Sequence, residues 1–388
     1  MVLGAFAFLP ACGALLDLPD TKEDDSYGQG DGSSASNDGS PAGDGATSDG
    51  TSPLTDANVL PDAPDADGGS PHNLCGDAGK DCFGGECLGG VCQAKPLTTS
   101  VNDPRQIVYS GGYAYVISGL QEIDRVDGFG TKTQIAINEP ALSAIAVSGS
   151  RIYFSSMASG GTNTDGEVSS CPTTGCDGTR KNYVAASKHK INGVASDGTN
   201  VYYGVDDNTG GATGGGIYTC PIGTTPCTAT TPTLSKLNTL NLQLSGALLY
   251  FLAGASTEGP FNCTAADCVS SSGADNFSLV DFAVNNADIV FATQSTISFE
   301  PLVGGSVLAL AGSQQTNVAV GADDTYAYWL DAKSAPNGVL NRCTIADQCL
   351  AGALPMKDGL NGPSDLVVTA DSIWFTTVGD HTVWRIAK

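Results

Sequence analysis

Basic residues are scarce in this sequence. Only 17 Lys and Arg residues stand against 41 Asp and Glu residues in a chain of 388, and the formal net charge is −24. Binding the phosphates of a nucleic acid requires clustered Lys and Arg side chains, so we expect no nucleic-acid partner. Sustained helical periodicity is missing beyond the N-terminus, whereas 50 Gly residues and a charged fraction of 15% are typical of a turn-rich β protein.

Local catalytic signatures are also missing. The chain has no G-x-S-x-G, P-loop or H-E-x-x-H motif. Its three His residues are His72, His189 within a basic surface-like run, and His381 near the C-terminus. We recognise no His–carboxylate pair of the kind that a lyase uses as acid and base. These observations favour a binding or scaffold function over an enzyme.

Apolar runs long enough to span a bilayer are missing too, because a spanning helix requires about 20 residues. The short N-terminal apolar run ends in a motif that resembles a bacterial lipobox, Leu9-Pro10-Ala11-Cys12-Gly13. We therefore assign residues 1–12 to a signal segment and predict lipidation of Cys12. No basic residue precedes the run, which a mis-assigned start codon explains. The alternative is a truncated ordinary signal peptide with an incidental Cys.

Residues 13–74 consist mainly of Gly, Ser, Asp, Ala and Pro. They hold thirteen acidic residues and one basic residue, which is half of the net charge of −24. A segment of this composition buries too little apolar surface to offset its ordering entropy. We therefore predict a disordered acidic linker that holds the folded part away from a membrane. The linker contains no EF-hand calcium loop.

Twelve of the thirteen Cys residues fall into short-range groups, which predicts disulfides and an oxidising, exported location. The first group defines a small module at residues 75–94 and consists of Cys75, Cys82, Cys87 and Cys92. Three pairings are possible, and the sequence does not choose between them; we expect the interleaved pairs 75–87 and 82–92. Zinc is the alternative, although structural zinc sites favour closely spaced C-x2–4-C pairs and reducing compartments.

A short motif recurs seven times within residues 95–388: an apolar strand, a Gly/Asp/Asn turn, and a strand centred on an aromatic residue. Aligning the copies gives intervals of 38, 49, 48, 40, 38 and 46 residues between equivalent positions, namely Tyr115, Tyr153, Tyr202, Tyr250, Val290, Tyr328 and Trp374. A four-stranded blade needs roughly 40–50 residues, so this period predicts an all-β fold, a β-propeller of seven four-stranded blades. We expect the aromatic residues to form blade core and not a ligand cage.

The ends of the repeat region predict how the ring closes. The blades begin near Ile107, Leu142, Ile191, Leu240, Leu279, Val318 and Leu366. The chain ends with what resembles the third strand of the last blade, so its fourth strand must come from elsewhere. We expect Leu97–Val101 to supply it, because pairing the two ends of the chain removes exposed sheet edges.

Four blades each carry one close Cys pair after the third strand, where a hairpin to the fourth strand would turn. We predict local disulfides within these pairs, which are Cys171/Cys176, Cys220/Cys227, Cys263/Cys268 and Cys343/Cys349. Each would close a small loop and stabilise its blade by about 2–3 kcal/mol. Redox catalysis or metal binding is the alternative, but either function would require C-x-x-C spacing or nearby His residues, which these pairs lack.

The repeat units resemble those of exported bacterial lipoproteins of the myxobacterial type. The residues that carry the resemblance are Ser372-Ile373-Trp374-Phe375-Thr376-Thr377 and His381-Thr382-Val383-Trp384-Arg385-Ile386. Proteins of this type combine a lipobox, an acidic low-complexity linker and a Cys-rich piece with a propeller of V-Y-W-T repeats. The resemblance implies the fold and a location in the cell envelope, either as an outer-membrane lipoprotein or at the cell surface. It implies little about activity.

Propeller ligands usually gather where the innermost strands begin, at the mouth of the central channel. The candidate ligand residues there are Asn102, Asp103, Glu139, His189, Asn238, Asn276, Gln315 and Asn361. Their oxygen atoms suit calcium, and such a ring would resemble calcium-dependent lactonase and streptogramin-lyase propellers in outline. The alternative is an ordinary polar rim, since loops that enter strands are solvated in every β protein.

These observations lead to one expected function and two alternatives. We expect a non-enzymatic, membrane-tethered lipoprotein whose propeller binds an unidentified protein, glycan or small molecule, with no cofactor. The first alternative is a calcium-dependent hydrolase or lactonase, or a lyase, that acts at the channel mouth. The second is a purely structural envelope component. Fold does not choose between them, because propellers support many activities.

Overall fold

Groups of four antiparallel strands repeat seven times in the computed structural model, and each group forms one blade of a seven-bladed β-propeller. The innermost strand of every blade contacts the innermost strands of both neighbours, so the blades form a closed ring. The predicted all-β propeller is therefore confirmed. The structure describes residues 74–76, 79–157, 166–176, 178–187, 189–206, 215–223, 226–227, 233–235, 239–253, 258–265, 267–273, 278–303, 305–333 and 335–388.

Within each blade, consecutive strands pair in chain order from the channel outward. Blade one consists of β6 (Pro104–Ser110), β7 (Tyr113–Ser118), β8 (Glu122–Asp127) and β9 (Lys132–Ala136). Blade two consists of β10 (Ala144–Ser148), β11 (Arg151–Met157), β12 (Gly166–Pro172) and β13 (Lys181–Ser187). Blade three consists of β14 (Lys190–Ser196), β15 (Asn200–Asp206), β16 (Gly216–Pro221) and β17 (Leu234–Ser235).

The remaining blades follow the same order. Blade four consists of β18 (Leu240–Ser245), β19 (Leu248–Ala253), β20 (Glu258–Thr264) and β21 (Asp267–Gly273). Blade five consists of β22 (Leu279–Val284), β23 (Asp288–Thr293), β24 (Ile297–Pro301) and β25 (Leu308–Ala311). Blade six consists of β26 (Asn317–Ala322), β27 (Tyr326–Asp331), β28 (Gly338–Thr344) and β29 (Leu354–Leu360). Blade seven begins with β30 (Pro363–Val368), β31 (Ser372–Thr377) and β32 (Thr382–Ala387).

The fourth strand of blade seven comes from the other end of the propeller region, as the sequence predicts. This strand, β5 (Lys95–Thr98), pairs antiparallel with β32. It lies two residues earlier than expected, because the Thr98 hydroxyl bonds the Ser100 hydroxyl at 2.9 Å and the chain turns there. Val101 follows as a fully buried residue between blades seven and one.

The core is divided into seven clusters, one between each pair of adjacent blades. The repeat aromatics lie in the second strands and contribute to these clusters; Tyr202, Tyr328 and Trp374 have no solvent exposure. A strand that is covered by a neighbouring blade on each face must be apolar on both, which explains continuous runs such as Ile373-Trp374-Phe375. The residues of the repeat motif are therefore blade core.

The small Cys module comprises two short hairpins, β1 (Leu74–Cys75) with β2 (Lys80–Asp81) and β3 (Cys87–Leu88) with β4 (Val91–Cys92). The interleaved disulfides Cys75–Cys87 and Cys82–Cys92 are formed. The module packs on the end of β32 through Ala387, and the Arg385 guanidinium lies 3.4 Å from the centroid of the Phe83 ring.

Two of the predicted blade disulfides, Cys171–Cys176 and Cys343–Cys349, are present in blades two and six. Cys263 of blade four is also disulfide-bonded, and the side chain of its expected partner Cys268 lies outside the described residues.

The predicted Cys220–Cys227 disulfide is not formed, and both residues are thiols. Their separation in the chain exceeds the five and six residues that separate the bonded pairs of blades two and six. The N–H of Cys227 donates a hydrogen bond of 2.6 Å to the Tyr183 carbonyl of blade two. The Cys227 thiol points to the carbonyl of Thr219 and the Cys220 thiol to that of Pro221. The bond to Tyr183 thus ties Cys227 to the neighbouring blade.

The predicted signal segment with Cys12, and the linker up to residue 73, lie outside the described residues. In the described part of the chain, no helix is long and apolar enough to cross a membrane.

Candidate functional site

The innermost strands of all seven blades surround a central cavity of about 670 Å³. Most of its lining residues are apolar, but many of them, such as Ile107, Phe282 and Leu366, are buried between the blades, so the surface that faces the cavity is more polar than apolar. The polar side chains of the lining are Arg105, Gln106, Ser143, Ser196, Asn241, Gln243, Asp281, Ser364 and Asp365. A cavity of this size lies in the range of small-molecule sites in proteins.

Three of these polar side chains occupy the same place in their blades, near the start of the innermost strand. The strand pairing shifts register at Gln106 in β6, at Asp281 in β22 and around Asp365 in β30. Such a bulge inserts an extra residue and re-aims its side chain. In each case the side chain leaves its own sheet and turns to the next blade.

These side chains accept backbone hydrogen bonds across the blade interfaces. The Gln106 amide oxygen accepts the N–H of Ile145 at 2.9 Å, which links blade one to blade two. Asp281 accepts the N–H of Val320 at 2.9 Å, from blade five to blade six. Asp365 accepts the N–H of Ile107 at 2.8 Å, which links blade seven to blade one. The channel edge of an innermost strand has no neighbouring strand, so these bonds satisfy otherwise open donors.

The two carboxylates have further hydrogen-bond partners. The Asn241 amide of blade four donates to the second oxygen of Asp281 at 3.2 Å, and the second oxygen of Asp365 accepts the N–H of Leu366 at 2.8 Å. Asn241 has a left-handed φ of 44°, which Asn tolerates better than most residues, and this aims its amide at blade five. Four successive blades, four to seven, therefore converge on this part of the channel.

Electrostatics makes the two carboxylates unusual. Burial raises the pKa of Asp281 to about 7, even though its hydrogen bonds oppose the shift. Burial also raises the pKa of Asp365 well above its usual range, and the negative charge of Asp281 raises it further. Each side chain is half-buried, because one side faces the channel while the surrounding strands shield it from bulk water. Asp281 and Asp365 thus form a like-charged pair in one cavity, which we call the channel carboxylates.

The candidate site residues predicted from the sequence lie elsewhere. Glu139 is only 5% exposed and forms an ion pair of 2.7 Å with Arg180, between blades one and two and away from the channel wall. Arg180 also contacts Glu167 at 3.2 Å. Burial raises the pKa of Glu139, while the Arg180 charge opposes the shift. This carboxylate serves the packing of two blades.

Asp103 lies beside a His residue, which the sequence analysis did not anticipate. Its backbone N–H donates to Nδ1 of His381 at 3.2 Å, across the junction of blades seven and one. Its carboxylate accepts two hydrogen bonds from Arg105, at 3.1 and 2.9 Å. The two residues are separated by 278 positions in the chain, and ring closure brings them together through the Asp103 backbone and not through its carboxylate. We call Asp103, Arg105 and His381 the rim group.

The other predicted residues do not converge. Gln315 is exposed, and its N–H bonds Asp331. The Asn361 amide donates to Asp380 at 3.2 Å. His189 is half-buried, and it is not among the residues of the channel wall. Asn238 and Asn276 lie outside the described residues. Asn102 is exposed at the start of blade one.

The channel carboxylates were not predicted from the sequence, because they lie within innermost strands, whereas the candidate residues were taken from the loops that precede those strands. A usable signal does exist: a polar residue stands directly before a buried apolar residue, and two positions after another buried residue, in Gln106-Ile107, Asp281-Phe282 and Asp365-Leu366. That pattern marks the bulge position of an innermost strand. The pattern can be recognised only when the blades are aligned on their first strands instead of on the repeat aromatics.

A second cavity of about 650 Å³ lies at the opposite ends of the innermost strands, along the turns of blades five to seven. Its polar groups bond to one another. Lys388 donates to Asp323 at 2.7 Å, the Asn286 amide bonds both carboxylate oxygens of Asp324, and Asn285 bonds the Asp323 carbonyl at 2.8 Å. These bonds connect adjacent blades, so the polar groups of the second cavity are explained by the packing of the blades.

Comparisons with known proteins agree with the fold. No protein-family model matches the sequence, and no curated protein matches it. A catalytically inactive virginiamycin B lyase from Staphylococcus aureus with quinupristin has a TM-score of 0.54 at 11% identity, covering 76% of this chain and 98% of its own. The WD40 β-propeller domain of Doa1 has a TM-score of 0.53 at 10% identity, covering 74% and 93%. The computationally designed Ika8 protein has a TM-score of 0.51 at 12% identity, covering 76% and 98%. At these identities the similarity supports the propeller fold alone.

Proposed function

We propose that this protein is an exported, membrane-tethered lipoprotein whose propeller is a non-enzymatic binding platform, with the central channel as the site for a small ligand. The observation that carries the proposal is the 670 Å³ channel, whose lining combines polar side chains with apolar ones. The ring around it is closed by strand pairing between its two ends. A rigid ring of this kind presents a preformed site, which lowers the entropic cost of binding.

The proposed location rests on the N-terminal residues and on the disulfides. Cys12 stands in a lipobox-like motif, and the acidic linker that follows is suited to hold the propeller away from a membrane. Disulfides such as Cys75–Cys87 and Cys171–Cys176 persist in oxidising compartments. An outer-membrane or cell-surface location of the exported chain agrees with both observations.

Metabolic labelling with a fatty acid tests the location. The full-length protein with a complete signal should carry label, and Cys12→Ala should carry none. Cys220→Ala is the matched control, because it removes a thiol from the folded part and should leave the label unchanged. An unlabelled wild-type chain, or equal labelling of Cys12→Ala, would refute the lipoprotein assignment.

Calcium analysis tests the binding platform against the metal-dependent alternative. Purified protein dialysed without chelator should hold no stoichiometric calcium that depends on the predicted rim residues. One calcium per chain that is lost in Asp103→Asn or Glu139→Gln would favour a calcium-dependent hydrolase or lactonase over the platform. Asp358→Asn, at an exposed position on an outer strand, controls for the loss of one negative charge.

A lyase is the second candidate function, and the rim group is the observation that favours it. His381 accepts the Asp103 N–H at Nδ1, which requires the neutral ring to carry its proton on Nε2. Arg105 neutralises the nearby carboxylate. Incubation with quinupristin, followed by chromatography, tests this candidate. Turnover that disappears in His381→Ala and persists in His189→Ala would establish a lyase, whereas an unchanged substrate would count against it.

A further inference from the structure

The channel carboxylates perform a structural task that does not require charge. Asp281 and Asp365 each accept a backbone N–H from the next blade, at 2.9 and 2.8 Å. Gln106 makes the equivalent bond at 2.9 Å with a neutral amide oxygen. An uncharged side chain at the same position, Gln106, therefore links two blades with a hydrogen bond of nearly the same length as those of Asp281 and Asp365. The negative charge of Asp281 and Asp365 needs a separate explanation.

That charge is unfavourable in the channel by itself. Placing a carboxylate among apolar strands costs free energy unless a counter-charge compensates it. The other titratable groups of the channel wall are Arg105 and Tyr109, and the Arg105 guanidinium is bonded to Asp103. The pair also repels itself, because the Asp281 charge acts on Asp365. A bound cation would relieve both effects.

We propose that the channel carboxylates bind an organic amine in its ammonium form, with the apolar part of the ligand against the channel wall. This inference rests on the proposed function, since it names the ligand class of the same channel. Asp281 in β22 and Asp365 in β30 line one cavity on either side of blade six. An ammonium group donates three hydrogen bonds and accepts none, so it complements side chains that only accept.

The immediate surroundings of the carboxylates favour an ammonium group over a metal ion. Calcium takes six to eight oxygen ligands. Both oxygens of Asp281 and both oxygens of Asp365 already accept an N–H bond, from Asn241, Val320, Ile107 and Leu366. These donors occupy part of the lone pairs of the carboxylate oxygens. They also place N–H groups where a calcium ion would need further oxygen ligands. One or two remaining lone pairs are sufficient for an ammonium group.

The rest of the cavity explains why the ligand should have an apolar body. Partly exposed apolar side chains of the lining near the carboxylates are Val280, Val318 and Val367, and Tyr109 lies on the same lining. A small inorganic cation would leave most of the 670 Å³ unfilled. An aryl or alkyl amine buries apolar surface against this wall while its charged end contacts the carboxylates.

Binding should depend on pH in a direction that follows from the geometry. A cation is bound by the ionised carboxyls, which compete with protons for the same oxygens. Asp281 and Asp365 are the carboxyls of the channel wall, where Arg105 and Tyr109 are the other charged or titratable groups. Affinity should rise as the pH increases from 5 to 8 and fall only when the amine itself loses its proton.

The test uses 2-phenylethylammonium as the probe and 2-phenylethanol as its uncharged analogue. Binding to the purified full-length protein is measured at pH 8 by ligand-observed NMR and by titration calorimetry. We expect the amine to bind and the alcohol to bind at least about tenfold more weakly, because a hydrogen bond to a charged group is lost. Asp281→Asn and Asp365→Asn should each weaken the amine by about tenfold and leave the alcohol unchanged.

Controls separate this result from a general loss of structure. Asn retains an oxygen for the N–H of the next blade, but its NH2 group cannot accept the second bond, from Asn241 or from Leu366. Unchanged binding of the alcohol is therefore the control for an intact channel in both variants. Asp358→Asn removes an exposed charge outside the channel and should leave the affinity unchanged. Gln106→Glu adds a carboxylate at the equivalent bulge and should strengthen amine binding.

Three results would overturn the inference. Equal binding of amine and alcohol would make the channel an apolar pocket, and no binding of either would remove the amine assignment. Calcium binding that is lost in Asp281→Asn would make the pair a metal site instead. The proposed function fails on different evidence, namely an unlabelled Cys12 or turnover that requires His381, so the two failures are distinguishable.

Discussion

The hydroxyl of Tyr328 donates a hydrogen bond of 2.9 Å to the Asp323 carboxylate, across the turn between the first two strands of blade six. The other oxygen of Asp323 accepts the N–H groups of Thr325 and Tyr326 within that turn. Blade three repeats the arrangement, with Tyr202 bonded to Asp197 at 2.7 Å. In both copies of the repeat the Asp residue precedes the Tyr residue by five positions. This shared spacing has a physical cause, because one carboxylate hydrogen-bonds both the turn and the core aromatic residue.

Removing the Tyr328 hydroxyl tests this relationship. We expect Tyr328→Phe to lower the free energy of unfolding by about 1–2 kcal/mol, because a buried hydrogen bond to a charged acceptor is lost while the ring stays in the core. Urea unfolding at pH 7 measures the change. Tyr250→Phe is the matched control and should have little effect, since the described residues provide no hydrogen-bond partner for that hydroxyl. A larger loss in the control would contradict the explanation.

The channel carboxylates should make stability fall as the pH rises. Their pKa values are raised in the folded protein, to about 7 for Asp281, so the folded chain retains protons that the unfolded chain has released. Stability then decreases between the usual carboxyl pKa near 4 and about pH 7, and levels off above it. The other charged or titratable groups of the channel wall are Arg105 and Tyr109.

The double variant Asp281→Asn/Asp365→Asn should flatten this profile. We expect the urea midpoint of the variant, relative to that of the wild type, to be higher at pH 7 than at pH 4.5. Other carboxyls with raised pKa values, such as Glu139 and Asp124, contribute equally to both proteins. Parallel pH profiles for the two proteins would show that the pair titrates normally.

The two thiols of blade three should be recovered by alkylation. After unfolding without reductant, peptide mapping should find Cys220 and Cys227 modified, whereas Cys171, Cys176, Cys343 and Cys349 should require reduction first. In the native state Cys220 should resist alkylation, because it is buried, and because burial together with its neighbour Cys227 raises the pKa of its thiol. A Cys220–Cys227 disulfide would restore the pairing that we expect from sequence.

Arg385 should control how firmly the Cys module holds to the propeller. Its guanidinium lies between the rings of Phe83 and Trp374, at 3.4 and 5.1 Å from their centroids, and it pairs with Asp371 at 3.6 Å. Arg385→Ala should accelerate release of the module by thermolysin. Arg385→Lys should be intermediate, since an ammonium keeps the charge but cannot stack as a plane. Equal cleavage rates for all three proteins would place the attachment elsewhere.

Much of the fold could be predicted from sequence because its signals are local and repeated. Each blade contributes an apolar strand, a polar turn and an aromatic strand, and the spacing of these elements decides the number of blades. The strand β5, which completes blade seven, was predicted to within three residues, because a ring with an unpaired edge is unfavourable. Blade five shows that the repeat tolerates substitution of both its turn carboxylate and its core aromatic residue. It has Asn285 and Val290 where blade six has Asp323 and Tyr328, yet the Asn285 side chain still accepts two N–H bonds in its turn.

The candidate site was less predictable, since its residues come from separate blades. Asp281 and Asp365 belong to different repeats, and only closure of the ring brings both into one channel. Asp103 and His381 stand at opposite ends of the propeller sequence and meet for the same reason. Glu139 failed as a channel candidate because its partner Arg180 lies on the outer side of blade two, which no local pattern indicates.

The sequence by itself determined the period, the number of strands in each blade, the burial of the repeat aromatics and the pairing of most cysteines, because all of these depend on neighbours within about 50 residues. Only the tertiary structure decided which polar side chains face the channel, which carboxylates share it, and that Cys220 and Cys227 remain thiols. Those outcomes depend on contacts between blades, whose geometry is set by bulges and by ring closure.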